Sequence, residues 1–131
     1  GFRQYQAGQD QSTLLTIAIR GLRDDSYELS EIVVLSPLRD ASTAATTSDP
    51  WLRQILKPAD GLVARPGQVR YSTIHAFKGL EAPAVVVTDL DETTTTDNFD
   101  SLLYVGLTRA TDRLIALIEA RTLRHALGGA A

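Results

Sequence analysis

The spacing of apolar positions changes character several times along the 131 residues. Leu14, Leu15, Ala18, Ile19 and Leu22 recur at three- and four-residue intervals, which predicts an amphipathic helix over about 10–23 with Asp10 or Ser12 as its cap. The following run, "EIVVLSP", is short, rich in β-branched residues and stopped by Pro37, the pattern of a buried strand. "TSDPWLRQILKPADG" predicts a short helix with Asp49 as cap and Pro50 at its first position, ending before Pro58 and Gly61. "QVRYSTI" alternates polar and apolar residues as a strand does, and "APAVVVTDL" is a continuous apolar run suited to a strand buried on both faces. A short strand is also expected at "FRQYQ" and a last one at "RLIALIEA". Between the last two long strands a polar stretch around "TTTT" gives way to a helix near Phe99, capped by Asp97 or Asn98, and the closing "GGAA" is expected to fray.

Strands separated by helices predict a three-layer α/β domain with a mostly parallel sheet. One domain is expected over residues 1–131, and a hydrophobic content of 44% suffices for a core. No apolar stretch approaches the roughly 20 residues of a membrane span, so a cytoplasmic protein without a membrane partner is expected. The absence of cysteine excludes disulfides, thiolate metal sites and thiol nucleophiles. A net charge of -3 does not advertise a nucleic-acid binder, although eleven arginines against two lysines leave room for a local basic surface.

In such sheets ligands gather at the carboxyl ends of the strands, which directs attention to the segments after Ile74 and Val87 and to the helix near Arg109. The stretch "TIHAFKGLEAP" places His75, Lys78, Gly79 and Glu81 after a strand; taken alone, it reads first as an ordinary polar loop. Arg109 shares a helical stripe with Leu102 and Val105, where a free charge is costly. It calls for an anionic partner, either a protein carboxylate or a phosphate. "AVVVTDLDE" has the outline of a strand that holds Mg2+ in nucleotide hydrolases, but that role requires a G-x-x-x-x-G-K-[ST] loop. The two lysines, Lys57 and Lys78, both lie outside such a pattern, so Asp89, Asp91 and Glu92 read as loop carboxylates at a strand end. Ser72 with His75 makes no nucleophile elbow, and no metal site is expected.

The blocks "TIHAFKGLE" and "LLYVGLTRA", in this order with a buried strand between them, resemble motifs V and VI of the UvrD/Rep-like superfamily 1 DNA helicases. The usual forms of these motifs are T-x-H-x-x-K-G-L-E and L-x-Y-V-x-x-T-R-A. "IVVLSP" also looks like the strand that precedes the family's motif IVa. The resemblance implies the C-terminal, second RecA-like (P-loop NTPase-like) domain of such a helicase, without a Walker A element of its own. It further implies the compact form of that domain, because only residues 40–69 separate the motif IVa strand from motif V.

By motif position, Arg109 matches the arginine finger that stabilises charge at the γ-phosphate. Glu81 matches the residue that accepts a hydrogen bond from the nucleotide ribose, and Gly79 lets the loop approach. Thr73 and His75 match positions that contact the phosphates of a DNA strand, and Arg39, after the motif IVa strand, is a weaker candidate for such contact. Lys78, Tyr104 and Thr108 are supporting positions. Ala82 stands where phenylalanine is common, and Phe77 where a small residue is common, a pair of departures that removes no functional group.

The implied cofactor is ATP with Mg2+, held mainly by an N-terminal RecA-like domain outside this sequence. The implied partners are single-stranded DNA and that domain. This half of the motor is expected to be inactive alone. A non-motor DNA-binding or regulatory module derived from the same domain is the alternative, and a fusion to a nuclease would leave no trace in this segment.

Overall fold

The computed structural model describes residues 1–59, 64–77, 79–95, 104 and 108–126. Its centre is a six-stranded sheet in which every pairing is parallel, with β1 (Phe2–Tyr5), β2 (Ile32–Ser36), β3 (Leu56–Pro58), β4 (Val69–Thr73), β5 (Ala82–Leu90) and β6 (Ala110–Glu119) in the order β1-β6-β5-β2-β4-β3. The helices are α1 (Ser12–Asp24), α2 (Thr43–Thr46), α3 (Pro50–Ile55), α4 (Glu92–Thr95) and α5 (Ala120–Ala126).

Alternation along the central strands divides the interior into two cores. On one face Ile32, Val34, Ala84, Val86, Ile115 and Leu117 pack with Leu15, Ala18, Ile19 and Leu22 of α1. On the other, Val33, Leu35, Val85, Val87, Ala116 and Ile118 pack with Ile74, Phe77 and Leu123. The continuous apolar runs are therefore explained: each residue faces one core or the other, and each buried Leu or Ile contributes on the order of 2 kcal/mol. Phe77 and Ala82 lie in the same cluster, with Phe77 only 1% exposed, so the large residue fills space beside the small one.

The expected strands and the two expected helices within the described residues are present. The cap of α1 differs: its N-cap is Gln11, whose side chain makes no capping bond, while Asp10 Oδ1 accepts from the Ser12 amide at 2.9 Å. Asp49 caps α3 as expected, accepting from the Leu52 amide at 2.9 Å, with Pro50 leading the helix. β3 was hidden from the sequence pattern because it has three residues, two of them the exposed Lys57 and Pro58 at the sheet edge. The expected last strand is β6, and a helix that the sequence pattern did not mark follows it: Glu119 turns β6 into α5, its carboxylate accepting from Arg121 N, Thr122 N and Thr122 Oγ1. The expected helix start at 97–99 and the frayed tail, along with Lys78, lie outside the described residues. No helix among the described residues is long and apolar enough to cross a membrane.

Candidate functional site

The stretch from Thr73 to Glu81 crosses the sheet from one edge to the other. Thr73 ends β4 beside Ser36, the last residue of β2, and the Ile74 amide donates to the Ser36 carbonyl at 2.9 Å. The chain then turns: Ala76 N donates to Thr73 Oγ1 at 2.9 Å, Phe77 N to the Thr73 carbonyl at 3.2 Å, and Leu80 N to the Phe77 carbonyl at 3.1 Å. Phe77 anchors this turn in the core, and the Arg70 guanidinium lies over its ring at 5.8 Å. Gly79 adopts a φ of +84°, and a Cβ there would meet open space, so glycine serves the backbone conformation and not a close approach within the protein. Glu81 then emerges exposed, immediately before β5.

Two groups of expected site residues result, at opposite edges of the sheet. At the carboxyl edge, Arg39 and Thr73 line one cleft of about 340 Å³ together with Ser72, Tyr71, Pro58 and Ala76. His75 is exposed in the turn just beyond Thr73. At the amino edge, Ala82 of β5 is the register partner of Ala110 of β6. Glu81 and Arg109 directly precede these residues, so both sit at the start of adjacent strands, which lie about 4.8 Å apart. The carboxyl-end rule thus leads to Thr73 and Arg39 but away from Arg109, which belongs to the other edge. Arg109 is half-buried in a helical segment, and its buried Nε has no hydrogen-bond partner among the described residues. Tyr104 and Thr108 are exposed, Tyr104 to 68%.

The acidic strand end differs from its expected role. Asp89 is not a loop carboxylate: it lies within β5, is buried, and has a φ of 64°, a left-handed conformation that costs a non-glycine residue roughly 1–2 kcal/mol. Its side chain accepts from Ser36 Oγ, Thr43 N, Thr43 Oγ1, Thr88 Oγ1 and Gln11 Nε2 at 2.6–3.2 Å. Asp91 instead opens α4, accepting from Thr93 and Thr94 amides, and Glu92 forms an ion pair with Arg121 of α5 and lies 3.6 Å from His125 Nδ1. The pattern "TDLD" gave the acidic positions but not this division, because burial of Asp89 depends on donors from Gln11, Ser36 and Thr43, remote in sequence. Among the described residues, no group of three or more His, Cys, Asp or Glu side chains could hold a metal ion.

The all-parallel six-stranded sheet with helical layers agrees with a RecA-like α/β domain. Residues 68–117 match the family model of UvrD-like helicase C-terminal domains. The fold is similar over nearly its whole length to the crystal structure of the C-terminal domain of a possible DNA helicase from Lactobacillus plantarum WCFS1, with a TM-score of 0.62, 18% identity and coverage of 96% of this chain and 79% of that one. No curated protein matches the chain by sequence.

Proposed function

We propose that this chain is the C-terminal motor domain of an ATP-dependent superfamily 1 DNA helicase or translocase. In this reading, Arg109 and Glu81 complete a nucleotide site whose phosphates and Mg2+ are held mainly by a separate N-terminal RecA-like domain. The observation that carries it is the placement of Glu81 and Arg109 directly before the paired residues Ala82 and Ala110 at one edge, with the Arg109 Nε buried and without a partner among the described residues. A buried guanidinium nitrogen without an acceptor suits a residue that receives its anion from a second body.

Glu81 would accept from the ribose, and Arg109 would place positive charge where negative charge develops during phosphoryl transfer. At the other edge, Thr73, His75 and Arg39 would contact the phosphates of a single strand without reading its bases. Closure of the two domains around the nucleotide would then change the grip at the far edge. In the full-length protein, Arg109→Ala is expected to lower ATP hydrolysis on the order of 10³-fold in a steady-state assay while nucleotide binding persists. An unchanged rate overturns the finger role. The 131-residue chain alone is expected to show no ATP turnover above buffer; clear turnover would overturn the assignment as half a motor.

A further inference from the structure

Between β2 and α2 the chain reads "SPLRDAST", from Ser36 to Thr43. These eight residues have the frame of a phosphate loop, G-x-x-x-x-G-K-[ST], running from a strand end to a helix start. Ser36 and Ala41 stand at the two glycine positions, Ser42 at the lysine and Thr43 at the hydroxyl. The donors such a loop turns toward phosphate and metal are here turned inward. The Thr43 amide reaches both Asp89 oxygens at 3.1–3.2 Å, and Thr43 Oγ1 reaches Oδ1 at 2.8 Å.

Asp89 draws in the rest of the loop as well. Ser36 Oγ donates to its Oδ2 at 2.7 Å and accepts from the Leu38 amide at 3.0 Å, so the first turn of the loop is tied to the same carboxylate. Gln11 holds Asp89 from α1 in both directions: its Nε2 donates to Oδ1 at 3.2 Å, and its Oε1 accepts from the Asp89 amide at 2.9 Å. That use of Gln11 is why its side chain does not cap α1. A residue in a strained conformation, buried, with donors from four other residues, is held there by its surroundings. What it fixes is the path of residues 37–42, and the one side chain of that loop with a full positive charge is Arg39, which lines the cleft with Thr73.

We infer that Asp89 is a positioning residue, whose carboxylate closes the phosphate-loop-like turn from within and thereby sets Arg39 against Thr73 at the nucleic-acid edge. The inference rests on the proposed role of that edge, but the clamp itself can be read without DNA. Two measurements separate them. The first is amide hydrogen exchange of the chain carrying Asp89→Asn, and of Thr43→Val as a second variant should the first not fold. Exchange at Leu38 and Thr43 is expected to quicken about tenfold beyond any change in the β2 and β5 amides. Exchange that rises equally everywhere, or not at all, overturns the clamp.

The second measurement is binding of a fluorescent oligothymidylate by the wild type, Asp89→Asn (or Thr43→Val), Arg39→Ala and the double variant. If Asp89 acts through Arg39, the Asp89 change weakens binding severalfold in the wild-type background and adds nothing once Arg39 is alanine. Equal losses in both backgrounds overturn the positioning role even with a loosened loop. A wild-type chain that does not bind the oligonucleotide at low salt overturns the nucleic-acid reading and the positioning role with it, and the exchange data then still decide whether the clamp exists.

Discussion

Tyr5 illustrates how much one side chain can depend on distant parts of the sequence. It is 4% exposed, and its hydroxyl donates to the Leu90 carbonyl at 3.0 Å, fastening the end of β1 to the end of β5 although these strands are not neighbours in the sheet. Burial raises its phenol well above the ordinary value near 10, and the carboxylates of Asp91, Asp89 and Glu119 push in the same direction. Folding therefore favours the protonated phenol. Its contribution to stability is whole below about pH 10 and is lost as pH rises from there toward the raised folded value. Tyr5→Phe is expected to cost about 1 kcal/mol in urea unfolding at pH 8, and the gap should narrow at pH 11 as the wild type weakens. A gap that widens instead would contradict the assigned partner and its sign. At this scale the sequence names candidates but not their partners. Glu81 and Arg109 stand out as candidates because two motif blocks carry them, whereas the burial of Asp89 leaves no such mark, since its donors come from residues 11, 36 and 43.

At the level of elements, legibility follows length and burial. β2, β5 and β6 are long or wholly apolar enough that both cores leave a mark on the sequence, and their positions agree with the pattern to within a few residues. α3 is short, with six residues, and was readable for a different reason, its local chemistry at the start. Asp49→Ala is accordingly expected to destabilise the chain by about 1 kcal/mol in chemical denaturation, with Asp49→Asn or Asp49→Ser losing much less. β3 and α5 lack both kinds of mark. β3 exists because Leu56, Lys57 and Pro58 pair with Val69, Arg70 and Tyr71, a choice made by β4 and not by β3. α5 starts where the Glu119 carboxylate gathers two amides and a hydroxyl. Burial works against its ionisation, but those hydrogen bonds and the charge of Arg124 outweigh it and lower its pKa.

Across the whole molecule, the sheet separates two surfaces that one short segment connects. Residues 73–81 begin at the edge with Thr73 and Arg39 and end at the edge with Glu81 and Arg109. Phe77, buried midway, keeps the crossing from moving independently of the second core. The order of the strands has a further consequence, for the making of the protein and not its action. β1 is the earliest of the six strands, yet among the described residues it pairs with β6 alone, with Phe2 opposite Ala116 and Tyr5 opposite Glu119. As the polypeptide leaves the ribosome, β1 must therefore wait, unpaired, while β2 to β5 are synthesised. That edge of the sheet can close only when β6 has been made, so β1 depends on a partner more than a hundred residues further along the chain.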